Sequence, residues 1–233
     1  LDLRLESHEA RWNCLGELSL AYILCALRDF GVFAAADETH TAVSLLARCG
    51  VEPVYRGLLG RWLQKLAQAG LLHETAPGVY TNPVPLPPTA VLPLLQEAYA
   101  LFGNDPHLPD YIARCGDKLT AVLRGAASPL ETLFPGGSYE TADYLYHHSP
   151  VARYFNGIAR AVVEAVVSHL PLHGRLRVLE AGAGTGGTTA ALLPTLPAER
   201  TTYYFTDLSD LFLARAAERF GEYPFVRYGL LHL

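Results

Sequence analysis

The glycine-rich stretch between residues 177 and 188 constrains the fold more than any other part of the chain. An apolar strand pattern ends in the acidic residue Glu180, and glycines follow at 182, 184 and 186 before a helical pattern begins. Glycines at this spacing permit a tight turn and let the backbone approach a ligand closely. The stretch therefore predicts a nucleotide-cofactor loop at the start of a parallel α/β sheet.

The residues after this loop alternate between strand and helix patterns. Leu176, Val178 and Leu179 predict a buried strand, and Tyr203 to Thr206 predict a second strand that ends at Asp207. Further elements are helices over 188–196 and 211–220 and a third strand over 225–231. The order βαβαβ is that of the first half of a doubly wound parallel sheet.

Two acidic residues at strand ends indicate which cofactor the loop binds. Asp207 is placed to accept hydrogen bonds from a ribose diol, which indicates an adenosine-bearing cofactor. A dinucleotide would need its pyrophosphate beside the negative charge of Glu180, and Gly186 comes one residue earlier than in the usual dinucleotide pattern. The positively charged S-adenosylmethionine suits this site better, with a dinucleotide or a purely structural loop as the alternatives.

The N-terminal part of the chain predicts helices and a small hairpin. Apolar residues recur at helical spacing over 8–30, near 40–49 and over 53–69, and two short strand patterns flank the turn at 75–78. Residues 53–82 therefore predict a winged-helix-like unit. Its cations Arg56, Arg61 and Lys65 do not share one helix face, so packing or dimerisation is favoured over binding to nucleic acid.

A proline-rich linker and more helices connect this unit to the loop. Four prolines between 83 and 88 exclude a helix there, helices are expected near 89–102 and 107–124, and a loop at 135–137. Ser149 and Pro150 predict the start of a long helix to about Leu170. Its expected apolar face comprises Val151, Phe155, Ile158, Val162 and Val166. We expect a mostly helical domain over 1–125 and the sheet domain over 126–233.

Charge and composition exclude several classes of function. The net charge of −5 provides no basic field for nucleic acid or an anionic membrane, and no apolar run is long enough to span a bilayer. No signal peptide is evident, so a cytoplasmic location is expected. The four cysteines are scattered and are expected to be reduced, without a metal site. The absence of methionine suggests a segment of a longer polypeptide.

Five motifs together are more specific than the loop alone. They lie at 133–140, 149–156, 178–189, 205–209 and 223–228, and through them the chain resembles the C-methyltransferase domains of modular and iterative type I polyketide synthases. The resemblance is close over about 130–233. Residues 1–125 resemble more loosely the helical lid of this family. The resemblance implies a helical lid that is followed by the first half of a Rossmann-like class I methyltransferase sheet.

The resemblance also implies an activity and its partners. The activity is methyl transfer from S-adenosylmethionine to the α-carbon of a β-ketoacyl chain on an acyl carrier protein, with S-adenosylhomocysteine as product and other synthase domains as neighbours. Tyr154 matches an active-site tyrosine, and Asn156 is a weaker candidate. The implied cofactor-binding residues are Glu180 near the charged end, Gly182, Ala183, Gly184, Thr185 and Gly186 in the loop, Asp207 at the ribose and Leu208 at the adenine.

In this family a histidine paired with a glutamate acts as the base, and the resemblance implies that both lie beyond Leu233. No histidine of the chain is assigned that role. The adjacent His147 and His148 are expected on different helix faces, His173 in a loop and His232 in the last strand. Two other hypotheses stay open: a vestigial methyltransferase that serves as a structural element, and a winged-helix regulator that senses the cofactor.

Overall fold

The computed structural model describes residues 5–171 and 173–232, which form two compact units. The first runs from Leu5 to Ser138 and the second begins at Tyr139. This division lies beyond the expected boundary after residue 125. The reason is that the segment containing the buried Thr132 joins the helical unit, where its carbonyl oxygen accepts a hydrogen bond from Arg114 Nε at 2.9 Å.

The first unit is mostly helical. Its helices are α1 (His8–Asp29), α2 (Ala42–Cys49), α3 (Arg56–Gln68), α4 (Val91–Phe102), α5 (His107–Asp117), α6 (Leu119–Leu123) and α7 (Leu130–Leu133). Three short strands, β1 (Thr39–His40), β2 (His73–Ala76) and β3 (Val79–Thr81), form an antiparallel sheet in the order β1-β3-β2. The helix expected over 107–124 is therefore two helices, which meet at Lys118.

Local sequence signals explain where these elements begin and end. Thr41 caps α2 through a reciprocal pair of hydrogen bonds with Ser44, and Gly50 ends the helix in the left-handed conformation at φ +64°. Helix α3 buries Leu59, Trp62, Leu63 and Leu66 in the same core as the inner face of α1. The helices that the apolar spacing predicted over 8–30 and 53–69 therefore share one core.

The second unit is an α/β unit around a parallel sheet, and it confirms the predicted βαβαβ order. Its elements are α8 (Glu140–Asp143), a π-helix (Tyr144–His148), α9 (Pro150–His169), β4 (Leu176–Ala181), α10 (Gly187–Leu192), β5 (Thr201–Asp207), α11 (Asp210–Arg219) and β6 (Val226–Leu230). The strands pair in the order β4-β5-β6 with Val178 opposite Tyr203 and Tyr203 opposite Val226. Ser149 caps α9 as predicted and accepts a hydrogen bond from Ala152 N.

Helices cover one face of this sheet within the described residues. Tyr203, Phe205 and Val226 are buried on that face, whereas Leu179 is 64% exposed on the other. The predicted strand is present, but the prediction that Leu179 is buried in it is wrong. Strand β4 alternates between half-buried and exposed residues because only one of its faces meets packed helices.

Helix α9 also differs from the expectation. The apolar residues Val151, Phe155, Ile158, Val162 and Val166 are exposed. The neighbouring row, which contains Ala159, Val163 and Val167, packs against the core of the sheet. The sequence pattern thus found the bulkier of two adjacent apolar rows, and the smaller side chains are the ones that approach the sheet.

No helix of the described residues has the length and apolar character needed to cross a membrane. The four cysteines are free thiols, and Cys14 and Cys49 are buried. Burial raises the pKa of both of these thiols.

Candidate functional site

The glycine-rich turn connects the end of β4 to the start of α10. Gly182, Gly184 and Gly186 have φ values of +68°, +55° and +78°, a region that residues with a side chain rarely adopt. Ala183 N donates to Thr206 O at 2.9 Å, and Gly186 N donates to Ala183 O at 2.9 Å. One hydrogen bond thus joins the turn to β5, and the other lies within the turn itself.

The three glycines meet different surroundings. A Cβ on Gly182 would have no heavy atom within 4 Å, and one on Gly184 would meet only Gly182 O at 3.9 Å. A Cβ on Gly186 would lie 2.7 Å from the ring of Phe220. The first two glycines therefore leave an open backbone surface that a ligand can approach, and the third makes room for the core.

Asp207 braces this turn from the end of β5. Its side chain is buried, Oδ2 accepts a hydrogen bond from Gly184 N at 2.9 Å, and Oδ1 accepts one from Ser209 N at 2.9 Å. The neighbouring Leu208 is 65% exposed. One carboxylate and one apolar side chain therefore stand side by side next to the loop.

Glu180 points into the sheet unit and is held by two hydroxyl groups. Thr189 Oγ1 donates to Glu180 Oε2 at 2.5 Å, and Tyr203 OH donates to the same oxygen at 2.6 Å. Burial raises the pKa of the Glu180 carboxyl above its usual value, against the lowering effect of these two hydrogen bonds. Burial and the nearby Glu180 raise the pKa of Tyr203.

A cavity of about 500 Å³ adjoins the loop at Gly184 and Thr185. The hydroxyl of Thr185 is buried and has no hydrogen-bond partner among the described residues. The guanidinium of Arg215 lies 3.5 Å from the ring centre of Tyr139 on the cavity wall, and Arg219 Nη1 donates to Thr185 O at 3.1 Å. Thr185 thus lines the cavity and carries a buried hydroxyl that no described residue satisfies.

Three of the four histidines considered in the sequence lie away from their predicted places. The rings of His147 and His148 stack at 4.4 Å, so the expectation that they occupy different helix faces is wrong. The π-helix brings both close to the carboxylate of Asp143, at 3.8 Å and 3.0 Å. His173 is exposed ahead of β4 as expected, but His232 lies beyond the end of β6, because that strand ends at Leu230.

Asp143, His147 and His148 could reach a common metal ion by their spacing alone. Arg219 occupies this cluster instead, since Nη2 donates to His147 Nδ1 at 2.8 Å and Nη1 donates to Asp143 Oδ1 at 3.3 Å. Burial, Arg219 and His148 lower the pKa of His147, while Asp143 opposes this shift. A cation already present in the cluster disfavours a second one.

The structure places the two α9 candidates differently. Tyr154 is 40% exposed, and its ring packs edge to face on Phe155. Asn156 turns inward and accepts a hydrogen bond from Thr188 Oγ1 at 2.9 Å. The hydroxyl groups that hold Asn156 and Glu180 belong to Thr188, Thr189 and Tyr203. These three residues were not predicted, because a hydroxyl partner leaves no spacing signal in one sequence.

The residues present fit an adenosyl cofactor with a positively charged methionine part. The open glycine backbone, the unpartnered Thr185 hydroxyl and the carboxylate of Asp207 lie around one turn at the carboxyl ends of two parallel strands. This is the position at which parallel α/β sheets bind nucleotides. The individual roles of Tyr154, Glu180, Asp207, Leu208 and the loop residues stay predictions.

Comparisons with known proteins agree with this geometry. The family model described as "Methyltransferase domain" matches residues 179–233. Pyochelin synthetase PchF of Pseudomonas aeruginosa is 31% identical over an alignment of 230 residues, which covers 92% of this chain and 12% of that protein. The chain therefore spans a small part of the relatives that it matches.

Solved structures extend the comparison to the helical unit. The CurJ carbon methyltransferase is 33% identical with a TM-score of 0.84, and the match covers 94% of this chain and 58% of that one. The CMeT domain of the citrinin polyketide synthase is 28% identical with a TM-score of 0.72, again over 94% and 58% of the two chains. Both units of the chain thus lie within the matched region.

Proposed function

Because the chain belongs to the carbon methyltransferase domains of polyketide synthases, we propose that it methylates the α-carbon of a β-ketoacyl chain on an acyl carrier protein. S-adenosylmethionine would be the methyl donor and S-adenosylhomocysteine the product. The observation that carries this proposal is the glycine turn, in which Gly182 and Gly184 expose open backbone beside a buried aspartate at the end of the next strand.

Each part of the turn suits one part of the cofactor. Gly182, Ala183, Gly184 and Gly186 would shape the methionine side. A Cβ on Gly182 or Gly184 would fill the space of the ligand, and one on Gly186 would clash with Phe220. The Thr185 hydroxyl would gain a partner there. Its missing hydrogen bond costs free energy in the present arrangement, because a buried polar group loses its water.

Asp207 would bind the ribose, and Leu208 would lie beside the adenine. A carboxylate accepts hydrogen bonds from both hydroxyls of a ribose diol, and an exposed leucine offers an apolar surface to a base. Glu180 would contribute a negative charge beneath the methionine end, although one of its oxygens is already shared by Thr189 and Tyr203. Its charge then acts through space, in an interior where water screens it less.

The cofactor supplies an electrophilic methyl group on a sulfonium. The substrate α-carbon lies between two carbonyl groups, so a base can remove its proton, and the enolate oxygen then needs a hydrogen-bond donor. We propose that Tyr154, with its partly exposed side chain, provides such a donor. No base is assigned among the described residues.

The helical unit would serve as a lid with a winged-helix-like part over about 53–82. Helices α2 and α3 and the β2–β3 hairpin follow one another in the order that such a unit requires. Trp62 is buried in the core of the unit, and only three cations lie on α3, so this helix lacks the basic face that nucleic acid requires. We propose that the partners are neighbouring synthase domains and the acyl carrier protein, and not nucleic acid or a membrane.

A methylation assay on the full-length protein tests the proposal. The wild type should convert a β-ketoacyl carrier protein to a product heavier by one methyl group in the presence of S-adenosylmethionine, as detected by mass spectrometry. Asp207→Asn should reduce the rate at least tenfold, since it removes an acceptor charge from the ribose site. Asp210→Asn, on the exposed side of the next helix, is the matched control.

The outcome separates the proposal from its rival. Cofactor binding without methylation of any β-ketoacyl carrier protein would favour a vestigial, structural role. Absence of both binding and methylation would contradict the proposed function.

A further inference from the structure

We propose that Asn156 is a positioning residue that fastens the π-helix to the first turn of α10 and so fixes the wall of the glycine turn on which the cofactor binds. This inference rests on the proposed function. It concerns Asn156, Thr188 and Gly187, none of which needs to contact the cofactor.

Asn156 is a polar residue in a row of small and apolar side chains. Ala152, Ala159, Val163 and Val167 share the inward side of α9 with it, and all are half-buried. A polar side chain in such a row destabilises the fold unless its groups are hydrogen-bonded. Its presence there indicates a specific polar contact.

Both polar groups of this side chain are used. Asn156 Nδ2 donates to Tyr146 O in the π-helix at 3.1 Å, and Asn156 Oδ1 accepts from Thr188 Oγ1 in α10 at 2.9 Å. One side chain thus joins α9 to two other segments. An amide is suited to this because it carries a donor and an acceptor on the same short side chain, whereas a carboxylate or an alkyl group does not.

Gly187 allows these segments to approach. A Cβ at this position would lie 2.3 Å from Tyr146 O and 3.0 Å from Tyr146 C, both backbone atoms. Gly187 does not have a left-handed φ, so here the glycine is needed for space. The π-helix carbonyl that Asn156 holds is therefore the one that lies directly on the start of α10.

The π-helix reaches the loop at a second point. Arg219 donates to Thr185 O and to His147 Nδ1, at 3.1 Å and 2.8 Å. Tyr146 O thus lies against Gly187, just after the turn, and Arg219 links its neighbour His147 to Thr185 within the turn. A shift of the π-helix would consequently move both flanks of the turn. Short π-helical segments are rare and occur often at functional sites.

The test measures the affinity of the full-length protein for S-adenosylhomocysteine by isothermal titration calorimetry. Thr188→Val should weaken binding about tenfold, the effect of one lost hydrogen bond. Asn156→Ala removes two hydrogen bonds and should weaken binding at least as much. Thr188→Ser keeps the hydroxyl and should stay within about twofold of the wild type. The double variant Asn156→Ala with Thr188→Val should bind no more weakly than Asn156→Ala alone, because the two residues act through one contact.

Hydrogen exchange gives a readout that does not depend on the cofactor. In Asn156→Ala, amides of residues 144–149 and of the first turn of α10 should exchange faster, while those of β4 and β5 keep their rates. Equal losses for Thr188→Ser and Thr188→Val, or unchanged exchange over 144–149, would overturn the inference.

A wild type that does not bind S-adenosylhomocysteine would contradict the proposed function instead. The exchange rates would then still decide whether Asn156 fastens the π-helix.

Discussion

The two long helices of the molecule, α1 and α9, are similar in length but pack in opposite ways. Helix α1 has 22 residues and buries nine of them, whereas the 20-residue α9 buries none completely. Helix α9 is nevertheless the more apolar of the two. The contrast shows that the apolar content of a helix does not by itself tell how deeply the helix is buried.

The difference extends to the two units that contain these helices. The helical unit is stabilised by a closed apolar core in which Leu27, Leu63 and Leu66 are almost inaccessible. In the sheet unit the end that carries the glycine turn depends on polar contacts: two hydroxyls on Glu180, two backbone amides on Asp207 and the amide of Asn156 between α9 and α10. Apolar truncations should therefore damage the first unit most, and single hydroxyl or amide changes the second.

The largest expected effect is that of an alanine in the core of α1. Leu27→Ala should lower the free energy of unfolding by about 2 to 5 kcal/mol, because it leaves a cavity in a close-packed core. Val162→Ala on the exposed row of α9 should change it by less than about 0.5 kcal/mol. Denaturant titration of both variants checks this, and a Val162→Ala loss as large as that of Leu27→Ala would remove the contrast between the helices.

Two glycine variants should separate stability from cofactor binding within the turn. Gly186→Ala combines a left-handed φ with a clash on Phe220 and should cost about 2 to 4 kcal/mol of unfolding free energy. Gly182→Ala meets no clash and should cost about 1 to 2 kcal/mol, yet its methyl group should abolish measurable binding of S-adenosylhomocysteine. Normal binding by Gly182→Ala would show that the open backbone is not the ligand surface.

Two neighbouring tyrosines on β5 provide a matched pair. Tyr203→Phe removes the hydroxyl that donates to Glu180 and should lower the unfolding free energy by about 1 to 2 kcal/mol. Tyr204 lies on the open face, 43% exposed, so Tyr204→Phe should be neutral. Equal melting temperatures for the two variants would show that the Glu180 contact does not stabilise the fold.

The smallest effect is a pH dependence at Glu180. Because burial in the folded protein raises the pKa of this carboxyl above its ordinary value, ionisation destabilises the folded state as the pH rises through and above that ordinary value. Glu180→Gln cannot ionise, so its melting temperature relative to the wild type should increase from pH 4 to pH 7. Glu222→Gln, at an exposed position, should show no such trend. The reverse trend for Glu180→Gln would contradict the burial of its charge.

The sequence predicted the parts of the structure that depend on local signals. The turn glycines, the Ser149 cap and the order of strands and helices after residue 175 are confirmed, since each follows from backbone geometry or apolar periodicity. The small hairpin near 71–81 was predicted from its turn residues and is also present.

The parts that the sequence did not predict depend on tertiary packing. Helix α9 carries two adjacent apolar rows, and the sequence pattern does not distinguish which of them faces the core. In the structure the row that contains Ala159 packs against the sheet. The stacking of His147 on His148 needs a π-helix, which shifts residues relative to an ordinary helix and has no recognised signature in a single sequence. The hydroxyl partners of Glu180 were not predicted because they come from other elements, Thr189 from α10 and Tyr203 from β5.

The dissociation constant of S-adenosylhomocysteine for the full-length protein, measured by isothermal titration calorimetry, tests the central claim most directly. We predict binding by the wild type and by Asp210→Asn, and at least a tenfold loss for Asp207→Asn, whose side chain cannot accept from both the ribose and the Gly184 amide as a carboxylate does. Equal affinity for Asp207→Asn and the wild type, or no binding by either, would contradict it.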